Sequence, residues 1–380
     1  MAHPHALINP AMLRWARDRV GLDVNAAARS AGVAPEQFQR WEDGDWQPTF
    51  KQAQQVASSL HAPFGYLFLG QPPTDEPLLP DLRTLGGTLV GKPSVNLMET
   101  VRQALQRQAW YAEFLQEQGA APLPFVGRFS TRSNGVQVAQ DIRSTLKLAP
   151  EPQTGHWEPY HRLLIKAAED AGILVMRSGI VGNNTRRKLD VAEFRGFAIS
   201  HPLAPVVFIN SSDAPSARLF TLLHELAHVW LGSSGVSDTA PGNTRREEVF
   251  CNAVAGEFLA PSELFAKLWP LASEDLSTRV AELARRFHVS QLVILRRAVD
   301  LGLIAPESYG AFYRAELEAF RAAEKGGGHF YRNAVAKISP LFARAVIAET
   351  LSGRLLLREA GKLLGVQPAK IRDLAEQLDA

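Results

Sequence analysis

The chain has 380 residues, enough for two or three domains and a substantial core, and a formal charge of only +2. Its 46% hydrophobic and 21% charged residues are those of an ordinary globular protein, which excludes a disordered or fibrous chain. A single cysteine, Cys251, excludes an internal disulfide framework. The start Met1-Ala2-His3-Pro4-His5 lacks signal-peptide character and no apolar run reaches membrane-spanning length, so a cytoplasmic protein with no membrane partner is expected.

Residues 1–70 read as a separate helical unit. Helices are predicted from Pro10, over Val24 to Ser30, from Pro35 to Glu42, from Pro48-Thr49 through Val56, and over Ala62 to Phe68, with glycine turns at Gly32 and Gly44. Helix, glycine turn, helix is the spacing of a helix-turn-helix, with the Pro35 helix as recognition element. The stretch, above all Trp41-Glu42-x-Gly44 and Pro48-Thr49, resembles a Cro/repressor-type (XRE-like) DNA-binding domain. Gln37, Gln39 and Arg40 are then the candidate base-reading residues. Charge argues against assuming DNA as partner: residues 1–72 hold six basic and six acidic side chains, with Glu36, Glu42 and Asp43 among the acids in or near the recognition helix. A neutral module gains little from phosphate contacts, so a protein-docking role for the same fold stays open.

A proline-rich connector, residues 71–95, follows, and should be extended. Residues 96–150 form a helical middle segment, with one helix from Asn96 to Gln118 and another from Val136 to Leu148. A helix from His161 to Ala171 then leads into a strand at Ile173 to Met176. His156 and His161 read as ordinary structural residues. Phe194 to Ile199 and Pro205 to Asn210 flank a Ser-His-Pro-Leu-Ala turn and predict a hairpin, with His201 in an exposed loop. A sheet edge can take up extended peptide backbone by strand addition, and the hairpin is a candidate for that role or a plain core hairpin.

The most specific signal is His224-Glu225-Leu226-Ala227-His228, inside an apolar helix with N-cap candidates at Ser211-Ser212-Asp213, Pro215 in the first turn and Gly232 at the C-cap. Histidines four apart on a helix share a face, so both imidazoles reach one metal ion, and the adjacent glutamate is placed as general base. A catalytic zinc needs a third protein ligand. The next acidic helix supplies Glu248, with Asn252 four residues on as a partner that orients a ligand, while Glu247 and Glu257 read as solvated charges.

Taken together, Arg218-x-Phe220-Thr221-Leu222-Leu223-His224-Glu225-Leu226-Ala227-His228, Glu248-x3-Asn252 and Phe258-Leu259-Ala260-Pro261 resemble the ImmA/IrrE-type metallopeptidases. That resemblance implies a gluzincin-like site, with zinc on His224, His228 and Glu248 and with Glu225 as the base. It also implies few substrates, typically a repressor or antitoxin-like DNA-binding protein, in a stress or mobile-element response. Cys251, Val254 and Gly256 depart from the family's more usual Ala, Phe and Ala.

The helix pair Leu276 to Phe287 and Gln291 to Leu301 carries Val280, Leu283, Leu292, Leu295 and Val299 and should pack on the peptidase core. After a joint at Gly326-Gly327-Gly328 comes a basic helical tail, with a further helix-turn-helix look near Ala360 to Val366. His329 and Tyr331 are remote candidates for an oxyanion stabiliser. The expected fold is α+β, mostly helical, with a zinc metallopeptidase domain over 151–305 and a C-terminal helical region over 306–380. Two alternatives stay open: a DNA-binding regulator or antitoxin-like protein whose zinc is structural or sensory, and a protease that releases its own first domain at the connector.

Overall fold

The computed structural model describes residues 4–73, 93–148, 157–237, 246–272, 275–323 and 330–379. Most of the connector, His156, the triple glycine, His329 and the side chain of Tyr331 lie outside the described residues. The chain divides into two compact units, one within residues 1–77 and 92–98, the other within the remainder.

The first unit contains α1 (Pro10–Arg19), α2 (Val24–Ala31), α3 (Pro35–Asp43), α4 (Phe50–Ser59) and a 3-10 turn, Phe64–Phe68. Each start has a local cause. Asn9 accepts from the Ala11 N–H, Asp23 from Ala26, and Thr49 and Gln52 form a reciprocal capping box. Leu13, Ala27, Ala28, Phe38, Trp41, Ala53 and Val56 close the core between them. The fifth predicted helix is the 3-10 turn, too short for α-helical bonding.

The α3 surface differs from a simple count of its charges. Glu42 is buried and paired with Arg17 at 2.7 Å, so it presents no charge to a partner. Gln39 donates to both carboxylate oxygens of Asp43 at 3.0 and 3.1 Å, and the Arg40 guanidinium lies over the Trp46 ring at 4.7 Å. Gln37 is half-buried.

The second unit is built on a four-stranded sheet of β1 (Leu174–Ser178), β2 (Gly196–Ile199), β3 (Val206–Asn210) and β4 (Gly235–Ser237), in the order β1-β3-β2-β4. β1 and β3 are parallel. β2 and β3 are the expected antiparallel hairpin, and β4 pairs antiparallel with β2. His201 lies in the hairpin loop, where its Nδ1 accepts from the Leu203 and Ala204 N–H groups at 3.2 Å each. Every residue of β2 and β3 is buried, so both sheet faces are covered. On one face Val175, Ala198, Val207 and Ile209 join a core built around α8 (Pro215–Leu231). Alternation sends Phe197 and Phe208 to the other face, where their rings stack at 4.7 Å.

Before the sheet come α5 (Val95–Glu117), α6 (Gly135–Thr145) and α7 (Trp157–Asp170). After β4 come α9 (Arg246–Leu259), α10 (Ser262–Leu268), α11 (Leu276–Phe287) and α12 (Gln291–Asp300), then α13 (Pro306–Ala323), α14 (Phe330–Ile338), α15 (Pro340–Leu351), α16 (Leu357–Leu364) and α17 (Ile371–Asp379). This is an α+β fold, mostly helical. Val280, Leu283, Leu292 and Leu295 of α11 and α12 are buried in the same core as α8, the packing their periodicity predicts. Phe342 of α15 meets Trp110 of α5 edge to face at 5.6 Å.

Glu257 is not a solvated charge. It forms a largely buried ion pair with Arg297 of α12 and accepts from the Ser262 N–H, while Arg297 Nε donates to Ala260 O at 2.8 Å. A side chain at Gly256 would bring its Cβ to 2.9 Å from Arg297 Nη1, so glycine at this position leaves room for the arginine.

Glu169 of α7 is also buried. Its Oε1 accepts from Val175 N at 2.8 Å and its Oε2 from Leu341 N at 2.6 Å, tying β1 to the start of α15. Burial, only partly opposed by these bonds, pushes its carboxyl from 4.5 up to about 7. The folded state therefore holds this proton more tightly than the unfolded chain, and stability declines as pH rises from about 4.5 to about 7. The expected decline is about 3 kcal/mol. Urea unfolding across that range checks it, and the slope should flatten in Glu169→Gln.

Candidate metal centre

α8 is placed by its ends. Ala214 takes the N-cap position without a side-chain bond, in place of the Ser211-Ser212-Asp213 caps, and Pro215 opens the first turn. Asp213 stays close by: its Oδ1 accepts from Ala214 N at 2.7 Å and from the Tyr313 hydroxyl at 2.7 Å. At the other end Gly232 adopts a left-handed conformation, φ +73°, with its Cα face against Gly127, where a Cβ would meet Gly127 Cα at 2.9 Å. Gly127 N and Phe129 N donate to the last-turn carbonyls of Val229 and Trp230, tying this end of α8 to the segment before α6.

Within this helix His224 and His228 sit one turn apart, fully buried, with their Nε2 atoms 3.1 Å from each other. α9 brings Glu248 against both: Oε2 lies 3.3 Å from His224 Nε2, and Oε1 lies 3.3 Å from His228 Nε2. Among the described residues these three form a buried group able to hold a metal ion. Their spacing fits zinc. Ligand bonds of about 2.0–2.1 Å in a tetrahedron put neighbouring donor atoms about 3.3 Å apart.

The hydrogen bonding fits as well. His228 Nδ1 faces Ser233 Oγ at 3.0 Å and Glu247 Oε1 at 3.1 Å, an arrangement in which Nδ1–H donates and the Nε2 lone pair is turned toward His224 and Glu248. Two imidazole nitrogens and a carboxylate in a dry pocket call for a cation between them. Burial alone would raise the Glu248 carboxyl, but bonds and charges from both histidines hold it well below the usual carboxylate range. His224 is lowered by burial. His228 is raised despite burial, through Cys251, Glu247 and Glu248.

Glu225 is completely buried. Its Oε2 accepts from the Ser237 hydroxyl at 3.2 Å, and that hydroxyl also lies 3.3 Å from His228 Nε2, so Ser237 of β4 bridges Glu225 and the triad. Its Oε1 is buried without a hydrogen-bond partner. Burial pushes the carboxyl up to about 8, and a cation beside it would pull that value down. The Oε1 atom lies against Gly196, where a Cβ would fall 2.7 Å from Oε1, 2.8 Å from Thr221 Cγ2 and 2.9 Å from Phe208 O. Gly196→Ala should therefore displace Glu225; if Glu225 takes part in a metal-assisted hydrolysis, turnover should fall about 100-fold with the metal content unchanged. Peptide cleavage read beside a metal assay checks this.

Three corrections follow from this geometry. Glu247 does not point elsewhere: it is the carboxylate on His228 Nδ1. Asn252 is buried on the Glu248 face of α9, yet its Oδ1 and His224 Nδ1 each lack a partner, so the orienting bond expected of Asn252 is not formed by those atoms. The hairpin is not the free sheet edge beside the site. β2 and β3 are both interior strands, and the edge strand there is β4. Ser233, Ser237, Gly196 and Cys251, whose buried thiol contacts the His228 ring, carry no periodic signal that ties them to the motif. Only their places in the fold bring them together. Gln37, Gln39 and Arg40 belong to the first unit.

No curated protein matches the chain. Residues 338–377 match a domain of unknown function, DUF8813, which spans α15 to α17. Residues 168–299 match the Peptidase_M78 family, the IrrE N-terminal-like domain. The segment from the end of α7 to α12, which carries the buried triad and Glu225, is therefore similar to the IrrE N-terminal-like peptidase domain.

Proposed function

We propose that the chain is a zinc-dependent endopeptidase of ImmA/IrrE type that cuts a repressor or antitoxin-like DNA-binding protein in a stress or mobile-element response. The observation that carries this reading is a buried carboxylate, Glu225, next to a buried triad of metal-ligand type, because a purely structural site has no use for a base. His224, His228 and Glu248 would hold zinc, which when bound polarises a peptide carbonyl and acidifies water. Glu225 takes the proton of the attacking water and passes it to the leaving amine. Ser237 holds Glu225 Oε2 in place, and Glu247 holds the His228 ring. Asn252, buried on the same face of α9 as Glu248, is the proposed supporting neighbour of the ligands.

In this reading residues 1–70 are an XRE-like helix-turn-helix unit, 71–95 a connector, 96–150 a helical middle segment, 151–305 the peptidase domain and 306–380 a C-terminal helical region. The first unit selects the target, by docking a similar repressor fold or by meeting DNA through Gln37, Gln39 and Arg40. The Gln39–Asp43 bond and the stacking of Arg40 on Trp46 favour protein over DNA, since each must be broken to free the side chain for a base. Among the described residues no helix is long and apolar enough to cross a membrane.

The test is a map of new protein N-termini in cells making the wild-type chain against cells making Glu225→Gln. One or a few cuts lost in the variant identify the substrate, and a cut within residues 71–80 of the chain itself indicates self-release. Identical maps with and without stress would overturn the peptidase reading in favour of a regulator whose zinc is structural.

A further inference from the structure

On the sheet face opposite α8, a second cleft opens between α5, the loop after β1, α14 and the end of α16. Its walls are mainly apolar, with Met176, Phe208, Ile338 and Leu364 among them. Two cations enter it, Arg107 from α5 and Lys337 from α14, and no carboxylate is among its lining residues. Arg107 Nε donates to Leu363 O at 3.0 Å. Lys337 Nζ donates to Gly182 O at 3.2 Å and to Asn183 Oδ1 at 3.1 Å. All three acceptors are neutral, so both charges are hydrogen-bonded and, among the described residues, neither is paired with a carboxylate.

Glu99, an acid on α5, is engaged by Gln103 at 3.0 Å and Arg102 at 3.7 Å. Burial pushes the Arg107 guanidinium down to about 10, and burial together with the Arg107 charge lowers Lys337. A clamp that merely ties α16 and the Gly182–Asn183 loop to the sheet does not explain this. A neutral amide donor would make the same bonds without the cost of two like charges in an apolar cleft, a cost that an anion offsets.

We propose that this cleft binds a small organic anion, its phosphate or carboxylate group held between Arg107 and Lys337 and its compact apolar body against Met176, Phe208 and Leu364. An apolar cleft with a few convergent charged groups is the ordinary form of a small-ligand site, and a charge-assisted contact fixes the head group. The C-terminal helices supply part of the wall, through Ile338, Leu364 and Gly365, which gives the region matched by the domain of unknown function a ligand-binding role. The cleft also lies close behind the metal centre: its wall residue Phe208 stacks on Phe197, whose neighbour Gly196 touches Glu225.

The test is calorimetric titration of the full-length, zinc-loaded protein at fixed ionic strength with phenyl phosphate, benzoate, inorganic phosphate and the neutral benzyl alcohol. Saturable binding of phenyl phosphate or benzoate is expected, with inorganic phosphate weaker and benzyl alcohol silent. Arg107→Gln and Lys337→Gln should each weaken binding about tenfold or more, the loss of one charge-assisted contact. Circular dichroism and zinc content guard against misfolding, and Lys337, the more open of the two positions, gives a variant that does not depend on Arg107. Inorganic phosphate binding as tightly as phenyl phosphate would overturn the organic ligand in favour of free phosphate. No saturable binding of any anion, equal binding by both variants, or equal binding of benzyl alcohol would overturn the site. None of these readouts uses peptide cleavage, so the outcome is independent of the proposed peptidase activity.

Discussion

Glu225→Gln should lower peptide cleavage by about 10²–10⁴-fold, the usual contribution of a positioned general base, and leave zinc binding intact. The substitution keeps the size of the side chain, and Glu225 is not one of the three atoms groups that surround the ion site. A glutamine carbonyl can still accept from Ser237 Oγ, so the bridge between β4 and α8 survives. What is lost is the capacity to take a proton. Burial also disfavours an ionised Glu225, so in the metal-free protein the neutral amide should be the more stable, by a margin that grows as pH rises from about 4.5 to about 8. Cleavage of a substrate-derived peptide, read beside zinc content and thermal unfolding, separates the two effects. Full cleavage by the variant would remove Glu225 from the mechanism.

Loss of the metal should follow a different pattern. His224→Ala, His228→Ala or Glu248→Ala should each abolish stoichiometric zinc, because each removes one of three donors, while Glu247→Ala should weaken zinc by about 10–100-fold, the range for partners of ligating histidines. Stripping zinc from the wild type with a chelator should lower its unfolding temperature as well as its activity, since an ion bound only by the folded state stabilises it by mass action. The ligand variants should no longer respond to the chelator. Competition for zinc against a chromogenic chelator ranks the four variants. Glu247→Ala as damaging as His224→Ala would make Glu247 a ligand and not a supporting group.

The part of the site that rides on one helix was legible before any coordinates. A spacing of four on α8 and the apolar residues around it determine that His224 and His228 face the same way, and the same spacing on α9 places Glu248 and Asn252 inward together. The supporting residues were not legible. Glu247 sits on the boundary of the exposed face of α9, with its side chain 39% accessible, so periodicity assigns it to solvent, while the fold brings it to His228. Ser237 reaches Glu225 only because β4 returns along β2, a pairing between a three-residue strand and a four-residue strand that no local pattern announces. Arg297 and Glu257 are forty positions apart, and their ion pair depends on how α9 and α12 cross. The helices of the first unit were readable from their caps and glycine turns, but the burial of Glu42 against Arg17 was not, since it needs α1 and α3 side by side.

Among the described residues β4 is an edge strand of the sheet, and if the proposed peptidase function holds, this position limits what can be digested. An edge strand beside Glu225 would recruit backbone that is itself extended and unpaired, so a substrate would have to offer several residues free of helix or sheet. Compact helical repressors rarely do so in the native state, and such a segment becomes available through linkers or partial opening. The rate of destruction of a target would then be set by how often the target itself opens, and a mutation that stiffens the cut segment should protect it without altering its affinity for the protease.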